Sequence, residues 1–374
     1  MKLGFVCYPT FGGSGVMATE LGMALASKGF EVHFITSHLP VRLDFLSSGL
    51  HFHQVTMEEY PLFRHQPYQL ALSSKLVEVV LKHDLDLLHV HYAIPHAYAA
   101  YMAKQMLKSK GKDIKVVTTL HGTDITLVGS NPNYQPAVEF SINNSDIVTA
   151  VSHSLKRDTE RFFELQKEVE VVYNFIDIEK YEKDSEDCYR RDALASEDQF
   201  IITHVSNFRA VKRVTDVIEI FALIREKYDA KLLLLGDGPE MDPVKILATE
   251  LGVKKDVIFL GNSNEVSKVL CLSDLFILPS ETESFGLAAL EAMAAKTPVI
   301  STNTGGLPEV NIDAVTGYLS DIGDVDDMAD NAKRILSSSE SLQEFKLRAF
   351  EQAKTFSIEK IVPQYIELYK KALN

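Results

Sequence analysis

Leu3-Gly4-Phe5-Val6-Cys7-Tyr8-Pro9 is a short apolar run stopped by proline, and Phe11-Gly12-Gly13-Ser14-Gly15 follows close behind it. The run reads as a buried strand, because a strand covered on both faces needs no polar alternation. After the glycines, Met17, Leu21, Ala24 and Leu25 recur on one helical face, and Gly29 stops the helix as a C-cap residue would. Glu31 to Thr36 then reads as a second strand. Strand, glycine loop, helix and strand make a βαβ unit, whose strands run parallel and whose crossover is right-handed.

The alternation continues. Strands are predicted at 85–91, 116–120, 146–151 and 169–173, with a helix at about 97–107. From about Asp177 to Gln199 the chain is charged and poorly periodic, which reads as the region between domains. A second series opens at Phe200. Its strands are predicted at 201–205, 231–235, 257–260, 275–278 and 298–301, with helices at 214–227, 243–251, 265–271 and 288–295. Two α/β domains with doubly wound parallel sheets are therefore expected, and 374 residues suit two domains.

Composition narrows the class. The chain is 46% hydrophobic and 24% charged, as globular proteins are. Its net charge of −14, from 38 basic and 52 acidic residues, disfavours binding to nucleic-acid backbones. No stretch reaches the ~18 uninterrupted apolar residues of a membrane helix. The opening residues lack the longer apolar region and cleavage site of a secretory leader. No membrane insertion and a cytoplasmic location are expected. Cys7, Cys188 and Cys271 are odd in number and far apart, so neither a disulfide framework nor a CxxC metal site is expected. Cys7, inside an apolar run, reads as a small core residue.

Ligands of wound sheets gather beyond the carboxyl ends of the strands, so the loops there carry the chemistry. Gly13-x-Gly15-x-x-Ala18 formally fits the dinucleotide fingerprint. That reading also needs a carboxylate after the second strand, and Thr36-Ser37-His38 offers none. The glycines still let an anion approach a helix N-terminus. His89 and His91 alternate along a strand end and share a face. A third ligand for zinc is not evident, and a small polar pocket with Tyr92 is the preferred reading. His121, in Thr119-Leu120-His121-Gly122-Thr123-Asp124, stands at a strand end where it can meet a substrate hydroxyl. In isolation it would be a structural histidine. Asp84-Leu85-Asp86 and Asp324-Val325-Asp326-Asp327 resemble DxD metal motifs, but helix capping and surface solvation explain both better.

Arg209 and Lys212 follow the first strand of the second series and suit a diphosphate, Arg by bidentate contact and Lys as a point charge. The sharpest signal is Pro279-Ser280-Glu281-Thr282-Glu283-Ser284-Phe285-Gly286-Leu287-Ala288-Ala289-Leu290-Glu291-Ala292-Met293. Glu283 lies just before a helix expected to start near Phe285, and Glu291 lies inside it. Free amides at that helix start and two carboxylates eight positions apart suit a sugar and a ribose lying alongside.

This Glu283/Glu291 segment resembles the E-x7-E signature of the family-4 retaining glycosyltransferases. Gly12-Gly13-Ser14-Gly15, Arg209 with Lys212, Gly236-Asp237-Gly238-Pro239-Glu240 and Thr304-Gly305-Gly306-Leu307-Pro308-Glu309 extend the resemblance over nearly the whole chain. His91-Tyr92-Ala93-Ile94-Pro95-His96, Leu120 to Asp124 and Asn207 to Arg213 look most like members that join N-acetylglucosamine to L-malate, the first step of bacillithiol biosynthesis. The resemblance implies a GT-B fold, with two Rossmann-like domains facing across a cleft. An acceptor domain at 1–178, a nucleotide-sugar domain at 179–352 and a final helix at 353–374 returning to the first domain are its implied parts.

The resemblance also implies roles. Arg209 and Lys212 would hold the diphosphate of UDP-GlcNAc, aided by the Gly15 amide, and Glu291 the ribose. Glu283 and the amides of Phe285, Gly286 and Leu287 would hold the sugar's 3- and 4-hydroxyls. His121 would meet the 6-hydroxyl, and Ser14, Tyr92, Thr119, Asn174 and Arg209 would surround L-malate. His121, Arg209, Lys212 and Glu283 would be the catalytic set. No metal and no cofactor are implied, and the attack is on the face the leaving group departs from, with its phosphate taking the proton. Uracil would meet backbone near 261–264. A homo-oligomer stays open. So do a family-4 transferase with another acceptor or sugar donor, and a GT-B nucleotide-sugar 2-epimerase.

Overall fold

The computed structural model describes residues 1–10, 12–44, 47–57, 67–184, 188–263 and 265–374. Phe11 of the glycine loop, residues 185–187 of the interdomain stretch and Asn264 of the uracil region lie outside them. The chain forms two compact units, Met1–Phe175 with Ile358–Asn374, and Ile176–Ser357.

The first unit runs β1 (Lys2–Val6), α1 (Gly13–Ser27), β2 (Glu31–Thr36), β3 (Leu50–Gln54), α2 (Tyr68–His83), β4 (Leu87–His91), α3 (Tyr98–Lys108), β5 (Lys115–Leu120), α4 (Gln135–Asn144), β6 (Ile147–Ala150), α5 (His153–Phe162) and β7 (Val169–Val171). Its seven strands are parallel in the order β3-β2-β1-β4-β5-β6-β7. The second unit runs α6 (Ile178–Asp184), β8 (Phe200–Val205), α7 (Val214–Arg225), β9 (Ala230–Leu235), α8 (Met241–Glu250), β10 (Val257–Gly261), α9 (Val266–Leu270), β11 (Leu275–Leu278), α10 (Leu287–Ala294), β12 (Val299–Thr302), α11 (Leu307–Val310), β13 (Gly317–Ser320), α12 (Val325–Ile335) and α13 (Ser339–Ala353). Its six strands are parallel in the order β10-β9-β8-β11-β12-β13. Both sheets reverse their winding once, between β1 and β4 and between β8 and β11. Loops at such a switch point diverge and leave a crevice beyond the strands' carboxyl ends.

Central strands are buried on both faces, which is why they read as apolar runs. Edge strands β3 and β13 escape sequence reading, because Leu-His-Phe-His-Gln and Gly-Tyr-Leu-Ser carry no such run. Helices cover both sheet faces. On one face of the first sheet, Leu21 and Leu25 of α1 pack with Leu3, Phe5, Leu87 and Val117; α2 and α3 cover the other.

The last helix, α14 (Ile358–Leu373), joins the first unit's core through Ile361, Val362, Tyr365, Tyr369 and Ala372. Tyr369 is fully buried, and its hydroxyl meets Nδ1 of His89 at 2.7 Å. Nε2 of His89 lies 2.8 Å from the Thr119 hydroxyl, which in turn lies 2.8 Å from that of Thr149.

Cys188 and Cys271 form a disulfide, with Cα atoms 6.2 Å apart, which corrects the expectation of unpaired cysteines. Sequence distance concealed it: the Tyr189 amide donates to the Lys268 carbonyl at 3.4 Å and brings the two segments together. Cys7 is buried, and burial pushes its thiol up to about 12. Among the described residues no helix is long and apolar enough to cross a membrane.

Removing the Tyr369 ring leaves a large hole in this core. Tyr369→Ala is expected to destabilise the first unit by about 3–5 kcal/mol. Tyr369→Phe, which strands His89 without its partner, should cost about 1–3 kcal/mol. Urea unfolding followed by circular dichroism checks both, and equal midpoints for the two variants would contradict the ring's packing role.

Candidate active site

In the first unit the polar groups collect at the carboxyl ends of β1, β4 and β5. Gly15 opens α1 where no side chain fits, since a Cβ there would lie 2.5 Å from the Tyr8 carbonyl oxygen and 2.7 Å from that of Thr10. Its amide already donates to the Gly12 carbonyl at 3.0 Å. Gly15 therefore lets the Tyr8 and Thr10 carbonyls close on the start of α1, and its N–H is already engaged. Beside it, the Tyr92 hydroxyl donates to Oγ of Ser14 at 2.8 Å, and the Tyr92 amide donates to the Thr119 carbonyl at 2.9 Å. Three residues expected around one acceptor are thus linked, with a difference at Thr119. Its side chain is buried and hydrogen-bonded to His89 and Thr149, so its carbonyl, not its hydroxyl, holds the Tyr92 segment. Asn174 is half-buried just past β7.

His91 and His121 meet at 2.8 Å, Nδ1 to Nε2, and their rings stack. The Tyr92 ring lies 5.2 Å from that of His121. Nδ1 of His96 donates to the His91 carbonyl at 2.5 Å, while Nε2 of both His91 and His96 is buried without a partner among the described residues. Burial holds His89 and His121 down to about 3 and His96 to about 4, so these imidazoles are neutral. His89 and His91 do share a face, but a fully buried one.

Asp124 has no role in the sequence reading and a central one here. Its carboxylate accepts the amides of Ala93 at 2.9 Å, Gly122 at 3.0 Å and His121 at 3.2 Å, and so fixes both histidine loops. Burial raises its pKa to about 6 against the pull of those amides. The signal was present in the contiguous His121-Gly122-Thr123-Asp124 run.

In the second unit the site lies beyond β8 and β11. A short turn at Ala210–Lys212 presents Lys212, whose Nζ meets Oε1 of Glu283 at 2.5 Å. The Ser280 hydroxyl donates to the same carboxylate oxygen at 2.9 Å. The structure thus pairs two residues expected to hold different parts of one ligand. Arg209 is exposed and has no hydrogen-bond or ion-pair partner for its side chain among the described residues. Gly305 holds the Glu283 loop closed: its φ is +57°, and a Cβ would lie 1.9 Å from the Glu283 carbonyl oxygen. The Gly306 amide donates to that same oxygen at 2.8 Å.

Helix α10 begins at Leu287 with Gly286 as its N-cap, two residues later than expected, because Gly286 takes a left-handed φ of +96°. Phe285 is buried against Phe356, and Glu291 sits half-buried within α10. The two aspartate pairs have structural work. Asp84 caps α2 and pairs with Lys112; Asp86 accepts the Lys2 amide; Asp324 caps α12 by accepting the Asp327 amide.

Comparison with known proteins shows the family and the fold. The model of Glycosyltransferase Family 4 matches residues 11–180, and that of Glycosyl transferases group 1 matches residues 185–352. N-acetyl-α-D-glucosaminyl L-malate synthase of Bacillus anthracis is 49% identical over 370 residues, covering 99% of this chain and 96% of that one. An uncharacterised glycosyltransferase of Methanocaldococcus jannaschii is 28% identical over 354 residues, covering 90% and 89%. An Anabaena protein solved with UDP-glucose has a TM-score of 0.81 at 22% identity, covering 99% and 100%. Sucrose-phosphate synthase of Thermosynechococcus elongatus has 0.80 at 20%, covering 99% and 98%. The two solved structures bear on the fold alone.

The buried histidines make stability depend on pH. His89, His96 and His121, with His204 at about 4, are depressed by burial below the 6.5 of a free imidazole. Unfolding below pH 6.5 lets each bind a proton, so their contribution is whole above 6.5 and lost as pH falls toward 4. Asp124 runs the other way over nearly the same window, one group against four. The urea midpoint is expected to be lower at pH 5 than at pH 7.5; an unchanged midpoint would mean these imidazoles charge in the folded chain.

Proposed function

The chain belongs to the family-4 glycosyltransferases, and we propose that it moves N-acetylglucosamine from UDP-N-acetylglucosamine to the hydroxyl of L-malate, with retention at the anomeric carbon. One observation carries this reading: the 49% identity, over 99% of the chain, to a synthase whose name gives that product. The paired loops of each unit support it.

The second unit is the donor side. Arg209, whose side chain has no partner among the described residues, takes the diphosphate. Lys212 and Glu283 neutralise each other at 2.5 Å before the donor arrives. Lys212 then turns to the phosphate, and Glu283 is released to accept the sugar's 3- and 4-hydroxyls. The amides of Phe285, Gly286 and Leu287 support the same hydroxyls, and Glu291 takes the ribose. The first unit is the acceptor side. Ser14, Tyr92 and Asn174 face malate, Thr119 fixes Tyr92, and His121 meets the sugar's 6-hydroxyl. Arg209 offers the dicarboxylate a positive charge in an acidic protein.

The malate oxygen attacks the anomeric carbon on the face from which UDP leaves. The bond from that carbon to the phosphate oxygen breaks, and the malate proton passes to the departing phosphate. Arg209 and Lys212 stabilise the charge that develops on the leaving group. No metal is needed in this scheme, since protein cations neutralise the diphosphate, and Asp84, Asp86 and Asp324 are engaged elsewhere. A cytoplasmic location fits these substrates.

UDP release from UDP-N-acetylglucosamine in the presence of EDTA, with and without L-malate, tests the reading. Release that needs malate and resists EDTA is expected; no stimulation by malate would remove the acceptor assignment. Lys212→Ala should lower turnover by on the order of 10²–10³ with the thermal midpoint kept. Turnover near that of the wild type would sink the role of Lys212.

A further inference from the structure

Four histidines and a glutamate converge far from the loops described above. In the parallel pair β2–β3, His33 lies opposite His51 and Ile35 opposite His53. Alternate residues of a strand share a face, so all three imidazoles project to one side. His83, the last residue of α2, joins them, with its ring centroid 4.6 Å from that of His33 and 4.9 Å from that of His53. The chain passes from His83 into the amino end of β4. The cluster lies on β2, β3 and the end of α2, apart from the loops after β1, β4 and β5 that carry Ser14, Tyr92 and His121.

Hydrogen accounting leaves this cluster incomplete. Nε2 of fully buried His33 is 3.0 Å from Oε1 of Glu31, and its Nδ1 is 2.9 Å from Nε2 of His53. A neutral imidazole has one N–H. When His33 gives its own to the carboxylate, its Nδ1 presents a lone pair to the centre of the cluster. Among the described residues, Nε2 of His83 is buried with no partner. One ring nitrogen from each of His33, His53 and His83 lies within 4.8 Å of the others.

We propose that His33, His53 and His83 bind a divalent cation of the zinc class, with Glu31 orienting His33, and that this ion clamps edge strand β3 and the end of α2 to β2. Three imidazoles suit zinc and its neighbours in the transition series. A carboxylate on the far nitrogen of a ligating histidine fixes its tautomer and raises its basicity. Zinc–nitrogen bonds of 2.0–2.1 Å place tetrahedral ligands roughly 3.3 Å apart. The His33–His53 pair, at 2.9 Å, need open only slightly, and His83 need close from within 4.8 Å. The neighbouring positive charges are partly met already: Lys2 lies 3.7 Å from the other Glu31 oxygen, and Lys75 pairs with Glu78 at 2.9 Å. Exposed His51 lies 3.7 Å from Glu31 and stands outside the triad. The site is independent of the transfer reaction.

The full-length protein, stripped with a chelator and desalted, is loaded with ZnCl2, desalted again and assayed for metal by mass spectrometry. About one zinc per chain is expected, with a rise in the thermal midpoint of roughly 5 °C or more at saturating zinc. Cobalt substitution should give the intense visible bands of a tetrahedral site. His53→Gln and His83→Gln, at half-buried positions, should keep the metal-free midpoint and lose the bound zinc. Glu31→Gln should still bind, roughly 10- to 100-fold more weakly. Wild-type protein that retains no zinc, or variants that retain it equally, would overturn the proposal.

Discussion

Parallel strands impose one constraint on everything else in this molecule. Each return to a parallel neighbour needs a crossover, so every strand-to-helix loop of a sheet emerges at the same edge. Six such loops supply the groups that matter: those after β1, β4 and β5 in the first unit, and those after β8, β11 and β12 in the second. Residues as distant in sequence as Ser14 and Tyr92, or Lys212 and Glu283, meet because their strands are neighbours or near neighbours in a sheet.

The polar groups at these edges are largely paired with one another. Lys212 neutralises Glu283, Tyr92 holds Ser14, and Asp124 gathers three amides from two loops. Pairing lowers the cost of keeping charge and polarity partly out of water. In the first unit it also holds Ser14, Tyr92 and the two loops fastened by Asp124 in place before any ligand arrives, which reduces what binding must order. Arg209 differs: it is exposed, and its side chain has no partner among the described residues.

Burial does a different job beneath the sheet of the first unit. His89, Thr119, Thr149 and Tyr369 form a hydrogen-bonded chain that ties the last helix to the central strands. A buried polar chain tolerates few alternatives, since each lost partner leaves another group unsatisfied. His89 was legible as a histidine at a strand end, but not as an anchor for a tyrosine 280 positions away. The same blindness hid the Cys188–Cys271 bridge and the meeting of His33, His53 and His83.

Local pattern settled the class of fold from the residues alone. Central strands such as Leu3–Val6 and Leu275–Leu278 are buried on both faces, and burial of that kind leaves an apolar run that any reader can see. The glycine turn before α1 and the Glu283/Glu291 segment were visible for the same reason: contiguous residues act within one loop and one helix. Edge strands β3 and β13 were not visible, because their sequences carry histidine and tyrosine instead of a run. Tertiary structure alone decided which side chains pair. The hydroxyl of Thr119 turned inward, Lys212 closed on Glu283, and Asp124 became the fastening of two loops. Such choices depend on which strands lie side by side and which atoms are shut away from water, and neither quantity is local in the chain.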